Sequence, residues 1–247
     1  MTDEHVDAAQ NLIKELGTGV SGLNCIAATT HCSRFAVPQD VHQTIQCHNI
    51  GAHWVTSSSI SGKVVVYESL YSTVNESLKR QLSYVYGKLA NDDGSLDVKV
   101  VLQQRQRGSS DCGLFAIANS VALASGFDPS TIFWHQSEMR DHLLKCFEQQ
   151  KIEMFPHDVM QKPCKESHYV ISIYCVCLRH IPGAAMVHCS VCNNWFHHGG
   201  AENCIKLSAS QVAALATESS FVCMYCEQDR CKQDRCKQPR NCPVVVL

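Results

Sequence analysis

No stretch of this 247-residue chain approaches the roughly 18 consecutive apolar residues that a membrane-spanning helix needs. Charge of one sign is missing as well. The 21 lysines and arginines nearly balance 23 acidic residues, for a formal net charge of −2, so no global field argues for nucleic acid or an acidic membrane surface. The opening MTDEHVDAAQNLIKEL is polar and acidic and lacks the basic-then-apolar order of a signal peptide. These absences lead to the expectation of a soluble, intracellular protein. Cysteine is scarce at first and dense later: of 16 cysteines, 11 lie at or after Cys164. In a reducing compartment such density argues for metal ligation rather than disulfides, whereas a secreted disulfide module would require the missing signal sequence. The length allows a medium domain with a small one, or two of middling size.

The chain changes character along its length. Val6, Ala9, Leu12, Ile13 and Leu16 share one face of a predicted helix over 4–16, with Gly17 as its stop. Residues 20–50 carry no readable period. Residues 53–55 and 63–70 (KVVVYESL) predict a hairpin around the turn at 57–62. A helix over 77–89, a strand over 97–102 and an amphipathic helix over 137–150 follow. Residues 156–169 read as a polar linker, 170–228 as a short-stranded cysteine-rich module, and 229–247, with its repeated QDRCK, as a disordered tail. Cys231, Cys236 and Cys242 in that tail read as loose thiols rather than a further metal site.

Between Arg105 and Phe115 the chain reads RQRGSSDCGLF. Cys112 stands at the mouth of an apolar predicted helix, capped by Asp111 or Ser110, with Gly113 permitting a sharp turn. The positive end of a helix dipole lowers a thiol's pKa and makes it nucleophilic. A buried structural thiol is the other reading of this segment alone. A cysteine nucleophile also needs a base, a group to orient that base, and donors for the oxyanion. His53, shielded by Trp54, is the candidate base. Glu68 on the next predicted strand is its candidate orienter, and Gln106 offers a side-chain amide.

This order of His53-Trp54, Glu68, Gln106 and Asp111-Cys112-Gly113 resembles the ubiquitin-like-protein-specific cysteine proteases, the clan of desumoylating enzymes and the adenovirus processing protease. The resemblance covers about residues 1–155. It implies an α+β, papain-like or adenain-like domain with a small sheet flanked by helices. It also implies Cys112 as nucleophile, His53 as base, Glu68 as orienter, Gln106 in the oxyanion hole and Trp54 beside a narrow channel for a Gly-Gly tail. A carboxylate Glu at 68, where most desumoylases carry Asp, is closer to the viral enzyme.

In the cysteine-rich module, paired cysteines one to four residues apart each supply two ligands of a tetrahedral zinc. Cys175, Cys177, Cys189, Cys192, His197, Cys204, Cys223 and Cys226 make three such pairs and a fourth of His197 with Cys204, in the order C4-H-C3, enough for two zinc ions. The pattern resembles a PHD finger. That resemblance implies a cross-braced topology, with Cys175, Cys177, His197 and Cys204 on one zinc and Cys189, Cys192, Cys223 and Cys226 on the other. The six residues between His197 and Cys204 are more than the family usually has, which leaves His198 as a rival ligand. Phe221 stands where a Trp is usual. Tyr174, Met186 and Trp195 match the cage positions of the class that reads methylated lysine on histone H3 tails, while core packing is the other use of these side chains. Together the two resemblances imply a nuclear thiol isopeptidase acting on a ubiquitin-like modifier, with a chromatin-reading finger. The alternative is an inert protease-like adaptor in which the finger does the work. Proteases of this clan joined to PHD fingers also resemble mobile-element products.

Overall fold

The computed structural model describes residues 1–27, 38–71, 73–199, 203–215 and 220–227. The carboxy-terminal QDRCK repeat and its three cysteines lie outside the described residues. The fold is mixed α/β and divides into two compact units: Met1–Gln81 with Asp97–Tyr169, and Leu82–Leu96 with the residues from Val170 onward.

Among the described residues eight strands begin before the cysteine-rich segment: β1 (Ser21–Gly22), β2 (Thr44–Asn49), β3 (Trp54–Ser58), β4 (Val64–Glu68), β5 (Ser95–Leu102), β6 (Ile132–Trp134), β7 (His157–Val159) and β8 (Lys165–Ser172). Six form one sheet in the order β1-β2-β3-β4-β5-β8. The expected hairpin is present as β3 and β4, antiparallel, with Thr56 opposite Tyr67. All of Val64–Glu68 is buried, so both faces of β4 are covered and its valines run on without alternation. β4 pairs with β5 in parallel, Glu68 opposite Leu102. Parallel strands finish at the same edge of a sheet, and antiparallel β3 starts there. His53, Glu68 and the loop after β5 therefore gather at one end.

The helix Cys112–Ala124 is buried at every position. It packs on β3 and on the helix Asp3–Glu15. An all-round apolar sequence is what such an enclosed helix requires. Leu114, Phe115, Ile117 and Val121 are all core residues, each contributing about 1.5–3 kcal/mol by leaving water. Val6, Ala9, Leu12 and Ile13 form the buried face of Asp3–Glu15, as their spacing predicts, whereas Leu16 caps the helix and is exposed.

Two departures have a common cause, the polarity of the strands concerned. β2 lies in the unreadable stretch because it buries polar side chains. Gln46 bonds to Gln10 and Asn24, and His48 lies between Gln81 (3.0 Å) and Ser57 (2.6 Å). Satisfied polar groups can be buried without the apolar period that sequence reading depends on. Burial pushes the pKa of His48 down to about 4, which keeps the ring neutral. The segment expected as a linker, 156–169, instead carries β7, paired with β6, and the start of β8. β7 is exposed throughout and β8 mostly so. Their composition reads as solvated because they lie at sheet edges.

The second unit has an antiparallel pair, β9 (Met186–His188) and β10 (Trp195–His197), with Phe196 opposite Val187. Short helices follow at Ala209–Ala214 and Met224–Glu227. Its cysteine-rich segment has a separate buried cluster of Cys175, Cys189, Phe196, Ile205 and Cys223. Within that cluster Phe196 and Ile205 are too little apolar surface to hold such a segment without cross-links or metal.

Candidate active site and metal-binding clusters

Three candidate residues converge where β3, β4 and the helix Cys112–Ala124 meet. His53 precedes β3, and its Nε2 bonds both carboxylate oxygens of Glu68, at 2.8 and 2.9 Å. Glu68 is itself held, since its Oε1 accepts the backbone N–H groups of Ser69 (2.7 Å) and Leu70 (2.8 Å). With Nε2 given to Glu68, Nδ1 is the nitrogen left for Cys112. No hydrogen bond of ordinary length closes on buried Nδ1, yet the imidazole and the thiol shift each other's proton affinity. Catalytic contacts are often loose without substrate and tighten in the complex.

The electrostatics favour a charged pair. Burial, the strongest single influence on His53, opposes its protonation, but hydrogen bonding to Cys112 and Glu68 and their negative charge outweigh it. The imidazole pKa is pushed up to about 9. For Cys112, burial opposes ionisation most strongly. The hydrogen bond and charge of His53, with backbone N–H groups of Trp54 and Gly113, hold the thiol below its usual range. The two protons belong to the pair, which titrates as a unit. Elsewhere in the core the trend is opposite: burial pushes Cys47 up to about 11.

Trp54 is buried in the same core cluster as Cys112. A β-carbon on Gly113 would stand 3.2 Å from Met1 Cβ and 3.5 Å from Trp54 Cδ1. Gly113 is helical and not among the residues with positive φ. Its small size matters at this position, not the turn freedom expected from the sequence. Asp111 does occupy the N-cap position, but its side chain makes no cap hydrogen bond. The carboxylate instead accepts from Gln136 Nε2 (2.7 Å) and from Arg140 (2.5 Å). Gln136 also accepts the Arg107 N–H (2.7 Å) and donates to the Arg107 carbonyl (2.8 Å). The loop carrying Gln106 is thereby clasped from the helix Gln136–Glu148.

Gln106 is buried. Its Oε1 accepts from Ser69 Oγ (2.8 Å), its Nε2 donates to the Gly108 carbonyl (3.1 Å), and its N–H donates to the Ser69 carbonyl (3.0 Å). Sequence reasoning missed Ser69, Gln136 and Arg140, which carry no signal apart from their partners. It also missed Tyr71. That ring, 56% exposed, meets His53 edge-on with centroids 5.2 Å apart.

In the second unit the eight expected ligands form two groups, Cys175, Cys177, His197 and Cys204, and Cys189, Cys192, Cys223 and Cys226. Within each group all ligand atoms lie within 4.8 Å of one another. The groups alternate along the chain, first and third pairs together and second and fourth together. Both could hold metal ions, and the donor set of seven sulfurs and one imidazole is compatible with zinc. Crowding itself argues for a cation. Cys223 beside Cys192 raises the pKa of the latter well above a free thiol, a penalty that a shared divalent ion removes. His197, not His198, is the histidine in the group; its Nδ1 lies 3.4 Å from Cys177 Sγ and 3.9 Å from Cys204 Sγ. Phe221 packs against the cysteine cluster and bridges to Cys189. Of the three cage candidates, Trp195 is 40% exposed, with its ring 5.1 Å from that of His188. Met186 packs against the cysteine cluster. The ring of Tyr174 lies against Gly94, 3.2 Å from where a β-carbon would stand.

No protein-family model and no curated protein sequence matches the chain. Among solved structures it is similar to the SUMO protease Ulp1 with its catalytic cysteine oxidised to a sulfenic acid. The identity is 12% and the TM-score 0.44, over 61% of this chain and 78% of that one. It is also similar to Ulp1 with that cysteine as a sulfinic acid, at 15% identity and a TM-score of 0.35, over 43% and 52% of the two chains. A third similar structure is the C-terminal Ulp1 protease domain in complex with SMT3, the yeast ortholog of SUMO. There the identity is 14% and the TM-score 0.33, over 43% and 52%. In the last two the chain spans about half the length of the solved chain.

Proposed function

We propose that this chain is a cysteine peptidase that cleaves after the C-terminal Gly-Gly of a ubiquitin-like modifier. The observation that carries the proposal is the held series Cys112, His53 and Glu68, with a raised imidazole and a lowered thiol pKa. The order of His53-Trp54, Glu68, Gln106 and Asp111-Cys112-Gly113 supports the choice of substrate class. In this reading the Cys112 thiolate attacks the scissile carbonyl while Gln106 and backbone N–H groups receive the developing oxyanion. The His53 imidazolium protonates the leaving amine. A thioester remains on Cys112, and water, deprotonated by His53, hydrolyses it. Glu68 keeps the ring oriented and favours its charged form, and Trp54 walls the approach of the Gly-Gly tail. Turnover of a panel of modifiers bearing a C-terminal fluorogenic amide tests the proposal.

Activity should rise on the acid side as Cys112 ionises and fall on the alkaline side as His53 loses its proton near pH 9. Glu68→Gln removes the negative charge that raises His53. The alkaline limb should therefore move to lower pH, with kcat falling up to about 10⁴-fold, as for the loss of an orienting carboxylate elsewhere. An unmoved alkaline limb would show that Glu68 does not act on the imidazole.

The second unit supports the companion proposal of a two-zinc PHD-type finger that delivers the peptidase to chromatin in the nucleus. If Cys112 is inert, the same finger makes the chain an adaptor that binds histone H3 tails. Exposed Trp195 favours a methyl-lysine reader, because a quaternary ammonium is drawn to an aromatic face. Binding of a trimethyl-lysine H3 peptide to the full chain should weaken roughly thirty-fold in Trp195→Ala, about 2 kcal/mol. No binding by the wild type to methylated or unmodified peptide would end that reading.

A further inference from the structure

Taking the thiol-enzyme reading above as its premise, we propose that Ser69 is a positioning residue. Its hydroxyl anchors Oε1 of the Gln106 side-chain amide, whose direction the Gly108 carbonyl sets, and so holds Nε2 towards the oxyanion formed on a carbonyl under attack by Cys112. Ser69 follows Glu68 directly and is buried, 2% exposed. It makes three bonds at this junction. Its N–H donates to Glu68 Oε1 (2.7 Å), its carbonyl accepts the Gln106 N–H (3.0 Å), and its Oγ donates to Gln106 Oε1 (2.8 Å). One residue thus supports both the orienter of the base and the amide.

The direction of the amide follows from its neighbours. A glutamine side chain can be turned over, and a hydroxyl would accept either end. The Gly108 carbonyl can only accept, so the end that meets it at 3.1 Å is Nε2. Oε1 is then the atom at Ser69, and the hydroxyl must donate to it. An amide nitrogen carries two hydrogens; one is used on Gly108, and the other is the donor offered to the oxyanion. Without the Ser69 hydroxyl, buried Oε1 loses its partner and the amide is held by the Gly108 carbonyl alone. An amide anchored at one end keeps its direction but is placed less firmly, so its donor serves the developing negative charge less well. The Ser69 N–H that supports Glu68 belongs to the backbone and survives a side-chain substitution. The structure therefore separates loss of oxyanion support from loss of thiolate.

Two reactions of Cys112 on the zinc-loaded full chain read these separately. In acylation by p-nitrophenyl acetate, the thiolate sulfur bonds to the ester carbonyl carbon. The carbonyl pair moves to oxygen, and the intermediate collapses with loss of p-nitrophenolate. Iodoacetamide alkylation displaces iodide at a saturated carbon and forms no oxyanion. Both are followed by mass spectrometry of the Cys112 peptide. Removing one oxyanion donor slows acyl transfer about 10²-fold or more, which is the effect expected for Gln106→Ala on acylation. Ser69→Ala should slow acylation roughly tenfold, a fraction of the whole donor's effect. The double variant should match Gln106→Ala, because the serine acts only through the glutamine. Alkylation should keep its rate and pH profile in all three. Wild-type acylation by Ser69→Ala, multiplying effects in the double variant, or a parallel fall in alkylation would each overturn the proposal. Lack of turnover on every modifier would instead remove the isopeptidase reading and leave this comparison intact.

Discussion

Cys112→Ala should abolish the adduct that the wild-type chain forms with a ubiquitin-like modifier carrying a C-terminal electrophile. Turnover should fall by at least about 10⁴-fold, the scale seen when a catalytic nucleophile is removed and only binding and oxyanion support remain. The chain contains many other thiols, so selectivity is the sharper measurement. At mildly acidic pH, Cys112 is the thiol expected to react, because His53 and the N–H groups of Trp54 and Gly113 stabilise its thiolate. Cys47 and Cys164 should stay silent, since burial raises both. Truncation to alanine removes one sulfur from a tightly packed core, so circular dichroism should hold while labelling disappears. If folded wild type forms no adduct with any of several modifiers, and Cys112 alkylates no faster than the other thiols, the inert-adaptor reading replaces the enzyme.

Removal of metal should have an effect of similar size on the second unit. Native mass spectrometry of the full chain should find two zinc ions. Stripping them with a strong chelator should unfold the cysteine-rich segment, detected by loss of structure around Trp195 in its fluorescence. Structural zinc contributes about 10–16 kcal/mol of apparent binding free energy in small finger peptides. The cluster around the ligands, whose buried members are mostly cysteine, has little to set against that loss. Ligand substitutions should be specific: Cys175→Ser and Cys189→Ser should each lower occupancy by one ion. His197→Ala should lose one ion, and His198→Ala should keep both. A folded, protease-resistant unit that holds no metal would overturn the assignment.

Much of the candidate site was legible because its chemistry depends on residue type and order. In a chain with 16 cysteines and 13 histidines, the order of His53-Trp54, Glu68, Gln106 and Asp111-Cys112-Gly113 is what stands out. The hairpin that joins His53 to Glu68 was readable too, since Val64–Val66 could only be a buried strand. Eight candidate ligands in four pairs pointed to the two clusters for the same reason. What escaped was polar and paired across space. β2 hides His48 and Gln46 behind bonds to Gln81, Ser57 and Gln10. β7 and β8 read as a linker because their exposed faces lack apolar alternation. Asp111 reads as a cap, but its carboxylate turns to Gln136 and Arg140, 25 and 29 residues away.

The sequence by itself determined the list of candidate reactive atoms, the eight candidate metal ligands and the buried helix that begins at Cys112. Those follow from side-chain chemistry and local spacing, which travel with the chain. Only the tertiary structure decided how they combine. Parallel pairing of β4 with β5 brings Glu68 and the Gln106 loop to the end where antiparallel β3 begins. The contact of Cys177 with Nδ1 of His197 picks the histidine. Ser69 reaches Glu68 through its N–H and Gln106 through its hydroxyl. Such choices depend on which groups lose water together, and that is a property of contacts between distant segments.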